Sequence, residues 1–232
     1  MKRIDVFREI TLDKENHTYH LGDFKFSQSG TKWISQFKNY FDQQKVATEY
    51  AKKNGFTADY WIKKWKVTAE ISTIKGNACH NYIEDFFNNT QRKELDYPEK
   101  QHIDEFLDKF SKRGYETIPE LIIGDENSSI AGCVDLLAFK DGKFHLIDWK
   151  TNRKIDKTAF KGQKMLKEFS FLDDCNYNHY SIQLSLYAYI LKKVAGIEVS
   201  TRSVVHFKQD GYEVHRMEDL TEIVEKIIKG EK

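Results

Sequence analysis

The chain has 232 residues, 40% of them hydrophobic and 31% charged, with 37 Lys and Arg against 36 Asp and Glu and a formal net charge of +1. That length and balance suit one well-packed domain, and argue against a membrane-spanning protein and a globally basic nucleic-acid binder, though not a local basic patch. Cys79, Cys133 and Cys175 are widely spaced and odd in number, so no disulfide framework or CxxC metal pair is expected and packed thiols are.

The opening Met-Lys-Arg-Ile-Asp-Val-Phe-Arg-Glu has no apolar signal core, which predicts a cytoplasmic protein, of a bacterial or phage-infected cell. Alternation through residue 26 predicts a small hairpin turning at Gly22-Asp23. Ser27, Ser29 and Thr31 then precede Trp33, Ile34, Phe37, Tyr40 and Phe41 at helical spacing. Such residues cap a helix, and a helix start with free N–H groups also suits a phosphate. Residues 42–75 are helical in character and place seven lysines from Lys45 to Lys75 among Tyr60, Trp61 and Trp65. Two readings compete: aromatics stacking on single-stranded nucleic acid, or core anchors with a solvated lysine face.

Gly76 to Glu84 reads as a helix on which His80 and Glu84 share a face, a spacing that alone is common in surface ion pairs. Ile103, Phe106, Leu107 and Phe110 mark an amphipathic helix, and Tyr115 to Ile123 a strand carrying Glu120. Two apolar runs separated by Asp141-Gly142 then form the strongest hairpin signal in the chain. With that turn, Phe139 pairs with Phe144 and Asp135 stands opposite Asp148, with Lys150 on the same face. Two half-buried acids side by side need compensation, from Lys150 in a surface hairpin or from a bound cation. Oxygen ligands point to Mg2+ or Mn2+.

After Lys150 and Thr151 come Arg153, Lys154, Lys157, Lys161, Lys164 and Lys167, a basic cluster that would draw a polyanion to the mouth of the site or form a solvated loop. His179 to Val194 reads as an amphipathic helix with Gln183 and Tyr187 one turn apart. Ser203 to Phe207 and Tyr212 to His215 predict a second hairpin across Asp210-Gly211, before a short helix through Ile227.

Four motifs in this order, Gly76-x-x-x-His80-x-x-x-Glu84, Gly132-x-x-Asp135, Asp148-Trp149-Lys150-Thr151 and Gln183-x-x-x-Tyr187, resemble the RecB-type branch of the PD-(D/E)XK nuclease superfamily over about half of the chain. The resemblance implies an α/β (α+β) fold with a mixed central sheet flanked by helices, a nuclease core at 76–232, and a helical, DNA-contacting region at 1–75. It also implies metal ligation by His80, Asp135, Asp148 and the Trp149 backbone carbonyl, with Glu120 a further ligand and Glu84 behind the ligands. Lys150 would orient or activate water, and Gln183 and Tyr187 would contact substrate or brace the lysine. Ser27, Ser29, Thr31, Trp61, Trp65, Thr151, Arg153, Lys154, Lys157 and Lys161 are the expected DNA contacts.

The activity implied is Mg2+- or Mn2+-dependent DNA hydrolysis in replication, recombination or repair, by an exonuclease on single strands or ends. An endonuclease on the same core and an inactive DNA-binding protein are the alternatives. Three scattered cysteines cannot build the four-cysteine iron-sulfur cluster of several branch members. With no P-loop, any helicase or recombinase partner would be a separate chain.

Overall fold

The Asp141-Gly142 turn forms as expected, with φ of 50° and 75° at its two central residues. That left-handed pair matches the twist of the strands it joins and sets Phe139 against Phe144 at the centre of a mixed sheet. The computed structural model describes residues 2–231. Strands β1 (Ile10–Asp13), β2 (Thr18–Leu21) and β3 (Phe24–Lys25) form a small antiparallel sheet turning at Gly22-Asp23.

The main sheet contains β4 (Gln28–Ser29), β5 (Glu116–Asp125), β6 (Ile130–Lys140), β7 (Lys143–Lys150), β8 (Val199–Lys208) and β9 (Gly211–Arg216). Its order is β4-β6-β7-β8-β9, with β5 along the other edge of β6. The β7 and β8 strands are parallel, and the crossover between them is α5 (Asn176–Ala195). Among the helices are also α1 (Gly30–Ser35), α2 (Gln43–Asn54), α3 (Ala58–Phe87), α4 (Lys100–Ser111) and α6 (Thr221–Lys229). The architecture is therefore mixed α/β, with helices on both faces of a mixed sheet.

Strand alternation divides the core in two. Leu137, Leu146 and Val204 pack with Ile182, Leu186 and Ile190 of α5, whereas Leu136, Ile147, Trp149, Val205 and Phe207 pack with Ile83 of α3 and Ile103, Phe106 and Leu107 of α4. Helix α5 is less one-sided than its periodicity suggests. Ser181 and Ser185 are also buried, and Ser185 Oγ accepts the Leu220 N–H at 2.9 Å, which satisfies the start of α6.

The helical stretches differ from expectation. The helix after Thr31 stops at Ser35, leaving Tyr40 and Phe41 88% and 61% exposed. Residues 42–75 are two helices, because Gly55 and Phe56 take φ of 74° and 65° and reverse the chain. The second, α3, runs 30 residues without interruption, so position 75/76 lies inside it. Side chains from Phe7 to Phe37 belong to the main core. The α2–α3 hairpin is held by Tyr50 against Trp61 and Trp65, with ring centroids 4.6 and 5.8 Å apart, and by Trp61 Nε1 donating to Gly55 O at 2.9 Å. Residues 66–74 of α3 are exposed all round, and Val67, Ile71 and Ile74 form an uncovered stripe along them. No helix among the described residues is long and apolar enough to cross a membrane.

Candidate active site

The β6 and β7 strands stay paired only from Lys140 and Lys143 back to Leu136 and Ile147. Beyond that point β7 follows β8, with Asp148, Trp149 and Lys150 beside Val204, Val205 and His206, and β4 takes up the vacated edge of β6 at Ile130 and Ala131. Asp135 and Asp148 are in the register the turn predicts, one step past the last pair, where the strands part. On the opposite edge of β6, Pro119 pairs with Leu136 and Leu121 with Val134, so Glu120 stands across from Asp135. Glu120, Asp135 and Asp148 thus form one transverse row over three strands.

Glu120 has φ of 46°, a left-handed value in the middle of a strand, and drops out of the ladder. Such a residue costs of order 1–3 kcal/mol and is retained where surrounding structure dictates it. Cys133, two residues from Asp135, donates its Sγ–H to Glu120 Oε2 at 3.2 Å. Burial first, and the Asp135 charge second, push the Glu120 carboxyl up to about 7.

His80 enters from α3. Its Nε2–H donates to the Trp149 carbonyl at 3.0 Å, which leaves Nδ1 bare and 3.6 Å from Asp135 Oδ2. Gly76, one turn earlier, faces Thr151, whose Oγ1 would lie at an ordinary contact distance of 3.7 Å from a Cβ there. The Gly-x-x-x-His spacing therefore lays one helix face along Trp149 to Thr151. Asp135 Oδ2 is oriented by the Trp149 N–H at 2.8 Å.

One donor atom from each of His80, Glu120 and Asp135 lies within 4.8 Å of the others, and these residues fit a divalent cation. Asp148 is outside that trio. It is 4% exposed, and its Oδ2 sits 2.5 Å from Lys150 Nζ. Burial raises the Asp148 carboxyl while Lys150 pulls it back. Burial alone would lower the lysine, but Asp148 and Asp135 overcome it and hold the ammonium protonated. The Trp149 carbonyl, expected as a ligand, accepts from His80 and, at 3.3 Å, from Lys150.

Tyr187 does not face a substrate. Its ring is 4% exposed and is wedged between Gly30 and Gly132, and its hydroxyl accepts from Gln183 Nε2 at 3.1 Å. The lysine is braced by Tyr180, whose ring centroid lies 5.1 Å from Nζ. A Cβ on Gly132 would meet Tyr187 Cε1 at 2.5 Å. Gly132→Ala is accordingly expected to destabilise the fold by about 1–3 kcal/mol, read as a lower denaturant midpoint, through overpacking.

Other expected contacts are dispersed. Ser29 caps α1 through the Lys32 N–H, Ser27 bonds Ser129, and Thr31 is exposed. Trp61 and Trp65 are spent on the α2–α3 hairpin. Thr151 and Arg153 line a cavity of about 670 Å³ with Ser72, Lys75 and Glu99, Lys154 pairs with Asp156, and Lys157 and Lys161 are exposed. Glu84 adds negative potential at Glu120 and Cys133. Three site residues escaped the sequence reading. Cys133 shares the face of Asp135 two residues on, which alternation could have shown. Tyr180 is one turn before Gln183. Tyr19, a buried phenol raised by burial and then by Cys133, Glu120 and Asp135, comes from the distant N-terminal sheet.

No family model and no curated protein matches this chain. Among solved structures, the crystal structure of SSO0001 is similar at a TM-score of 0.29 and 16% identity, over 55% of this chain and 57% of that one. This chain thus spans little more than half of that protein, and a likeness of this size carries no argument about function.

Proposed function

We propose that the chain is a metal-dependent deoxyribonuclease on a PD-(D/E)XK core, hydrolysing phosphodiester bonds from the ends of DNA or on single strands. The observation that carries this reading is the row of Glu120, Asp135 and Asp148 at the parting of β6 and β7, flanked by His80 and Lys150. His80, Glu120 and Asp135, with Asp148 adjoining, would hold Mg2+ or Mn2+, which when bound supplies a more acidic water and neutralises charge on the phosphate. Lys150, kept protonated by Asp148, fixes a positive charge beside the position where negative charge builds up. Trp149 N–H holds Asp135 in place, and the Tyr180 ring supports the ammonium.

Exposed Arg153, Lys157 and Lys161 on the segment leaving β7 favour approach of a polyanion. Exposed Phe41, near Lys66, and Tyr60, near Lys64, offer rings and charge to a single strand. End-labelled linear DNA, single- and double-stranded, incubated with Mn2+ beside a closed single-stranded circle tests the proposal. Linear substrate should be degraded and the circle spared. A cut circle would make the enzyme an endonuclease, and intact DNA throughout would refute hydrolysis.

A further inference from the structure

A second group of metal-type donors lies on β8 and β9, the two strands next to the acidic row. Parallel pairing sets His206 beside Lys150, and antiparallel pairing sets Glu213 opposite His206 and His215 opposite Val204. His206, Glu213 and His215 therefore share one sheet face, the face of Asp148 and Lys150. One donor atom of each lies within 4.8 Å of the other two.

The hydrogen bonds around the trio leave one nitrogen of each histidine without a partner. His206 is 1% exposed, and its Nε2–H donates to the Asn152 carbonyl at 2.6 Å. A carbonyl can only accept, so this bond fixes the tautomer and leaves the Nδ1 lone pair free. That Nδ1 is buried with no hydrogen-bond partner. His215 Nε2 is likewise buried without a hydrogen bond, although it lies 3.1 Å from Glu213 Oε2. Lys208 Nζ takes the other carboxylate oxygen, Oε1, at 2.6 Å.

An imidazole tethered through one nitrogen to a backbone carbonyl, and a carboxylate tethered through one oxygen, are how metal ligands are commonly oriented. Leaving two buried imidazole nitrogens bare would otherwise cost free energy with no return. We propose that His206 Nδ1, Glu213 Oε2 and His215 Nε2 form a second metal site for a zinc-class ion, separate from the acidic centre. Two nitrogens and one carboxylate oxygen are a ligand set that zinc uses, with the fourth position left to water. The acidic centre has more oxygen donors and suits a harder ion. Lys157 and Lys208 are the nearby cations that such an ion must tolerate. Lys208 is already engaged by Glu213 and, at 3.8 Å, lies near Asp210.

Occupancy has a mechanical consequence. Asn152 lies two residues past the β7 end that carries Asp148 and Lys150, so an ion on His206 fastens the start of the basic segment to the β8–β9 hairpin. The site would thus anchor Arg153 and Lys154 at the mouth of the acidic row without taking part in chemistry there.

Equilibrium dialysis of the chelator-stripped full chain against zinc chloride, with Co2+ absorption as a second readout, tests the site in an Asp135→Asn background that disables the acidic centre. The Asp135→Asn protein should still bind one equivalent and show the visible bands of four-coordinate Co2+. Adding His215→Ala removes a direct ligand and should weaken zinc binding beyond the roughly 100-fold that loss of an outer-shell partner costs, and remove the bands. Glu213→Gln, nearly isosteric, guards against a folding defect and should also weaken binding while leaving the far-ultraviolet dichroism unchanged. The proposal is overturned if Asp135→Asn alone abolishes zinc binding, or if folded His215→Ala and Glu213→Gln proteins bind zinc as tightly as their parent. Neither result bears on whether the acidic centre hydrolyses DNA.

Discussion

Replacing Lys150 with alanine should reduce Mn2+-dependent DNA hydrolysis by roughly 10³-fold, the scale seen when a preorganised electrostatic stabiliser is removed. It should also destabilise the protein. Asp148 is 4% exposed and its main compensation is the ammonium 2.5 Å away. Stranding a buried charge costs about 3–5 kcal/mol, unless the group takes up a proton. The loss in Lys150→Ala should therefore be large at pH 8 and smaller at pH 5, where Asp148 can be neutral. Adding Asp148→Asn removes the stranded charge and should restore much of the stability while leaving activity absent. Denaturant midpoints and a gel assay on the same preparations separate the two effects. A fully active Lys150→Ala protein would sink the assignment of Lys150 to the reaction.

The second large effect concerns metal and stability together. Asp135 lies between Glu120 and Asp148, and its charge raises the carboxyl pKa of both. In the metal-free protein, folded carboxyls whose pKa exceeds the unfolded value keep protons that the unfolded chain would release. Stability then falls as pH rises from about 4, the ordinary carboxylate range, to about 7, where Glu120 titrates. Asp135→Asn removes the central charge and keeps an oxygen to accept the Trp149 N–H. It should melt at or above the metal-free wild type, with a weaker pH slope. Mn2+ at a hundredfold excess over Kd should stabilise wild type by about 2.7 kcal/mol, or roughly 5–10 °C for a chain of this size, and leave Asp135→Asn unmoved. An equal shift in both proteins would place the ion elsewhere.

Local chemistry accounts for how much of this site could be read from the chain. The Asp141-Gly142 turn sets a register, so counting outward correctly puts Asp135 opposite Asp148. A second count was available and decisive. Glu126, Asn127, Ser128 and Ser129 form the turn that joins β5 to β6, and counting from it places Glu120 opposite Asp135. The parting of β6 and β7 could not be read, because it depends on β4 and β8, which arrive from residues 28 and 199. Tyr19 was invisible as a neighbour of the site because it too arrives from a distant part of the chain. The 30-residue length of α3 was hidden by the change in composition near Gly76, where polar, lysine-rich positions give way to buried ones within a single helix.

That continuity makes α3 a lever with its pivot at the site. Cys79, Tyr82 and Ile83 clamp one end in the core, and Trp61 rides near the other, about 27 Å away at 1.5 Å per residue. Pushing the tip sideways by about 5 Å would tilt the helix by roughly 10°. His80, beside the pivot, would then shift by only about 1 Å. The hairpin of α2 and α3 can accordingly sway, or yield to whatever lies against Val67, Ile71 and Ile74, while the imidazole at the acidic row stays nearly where it is.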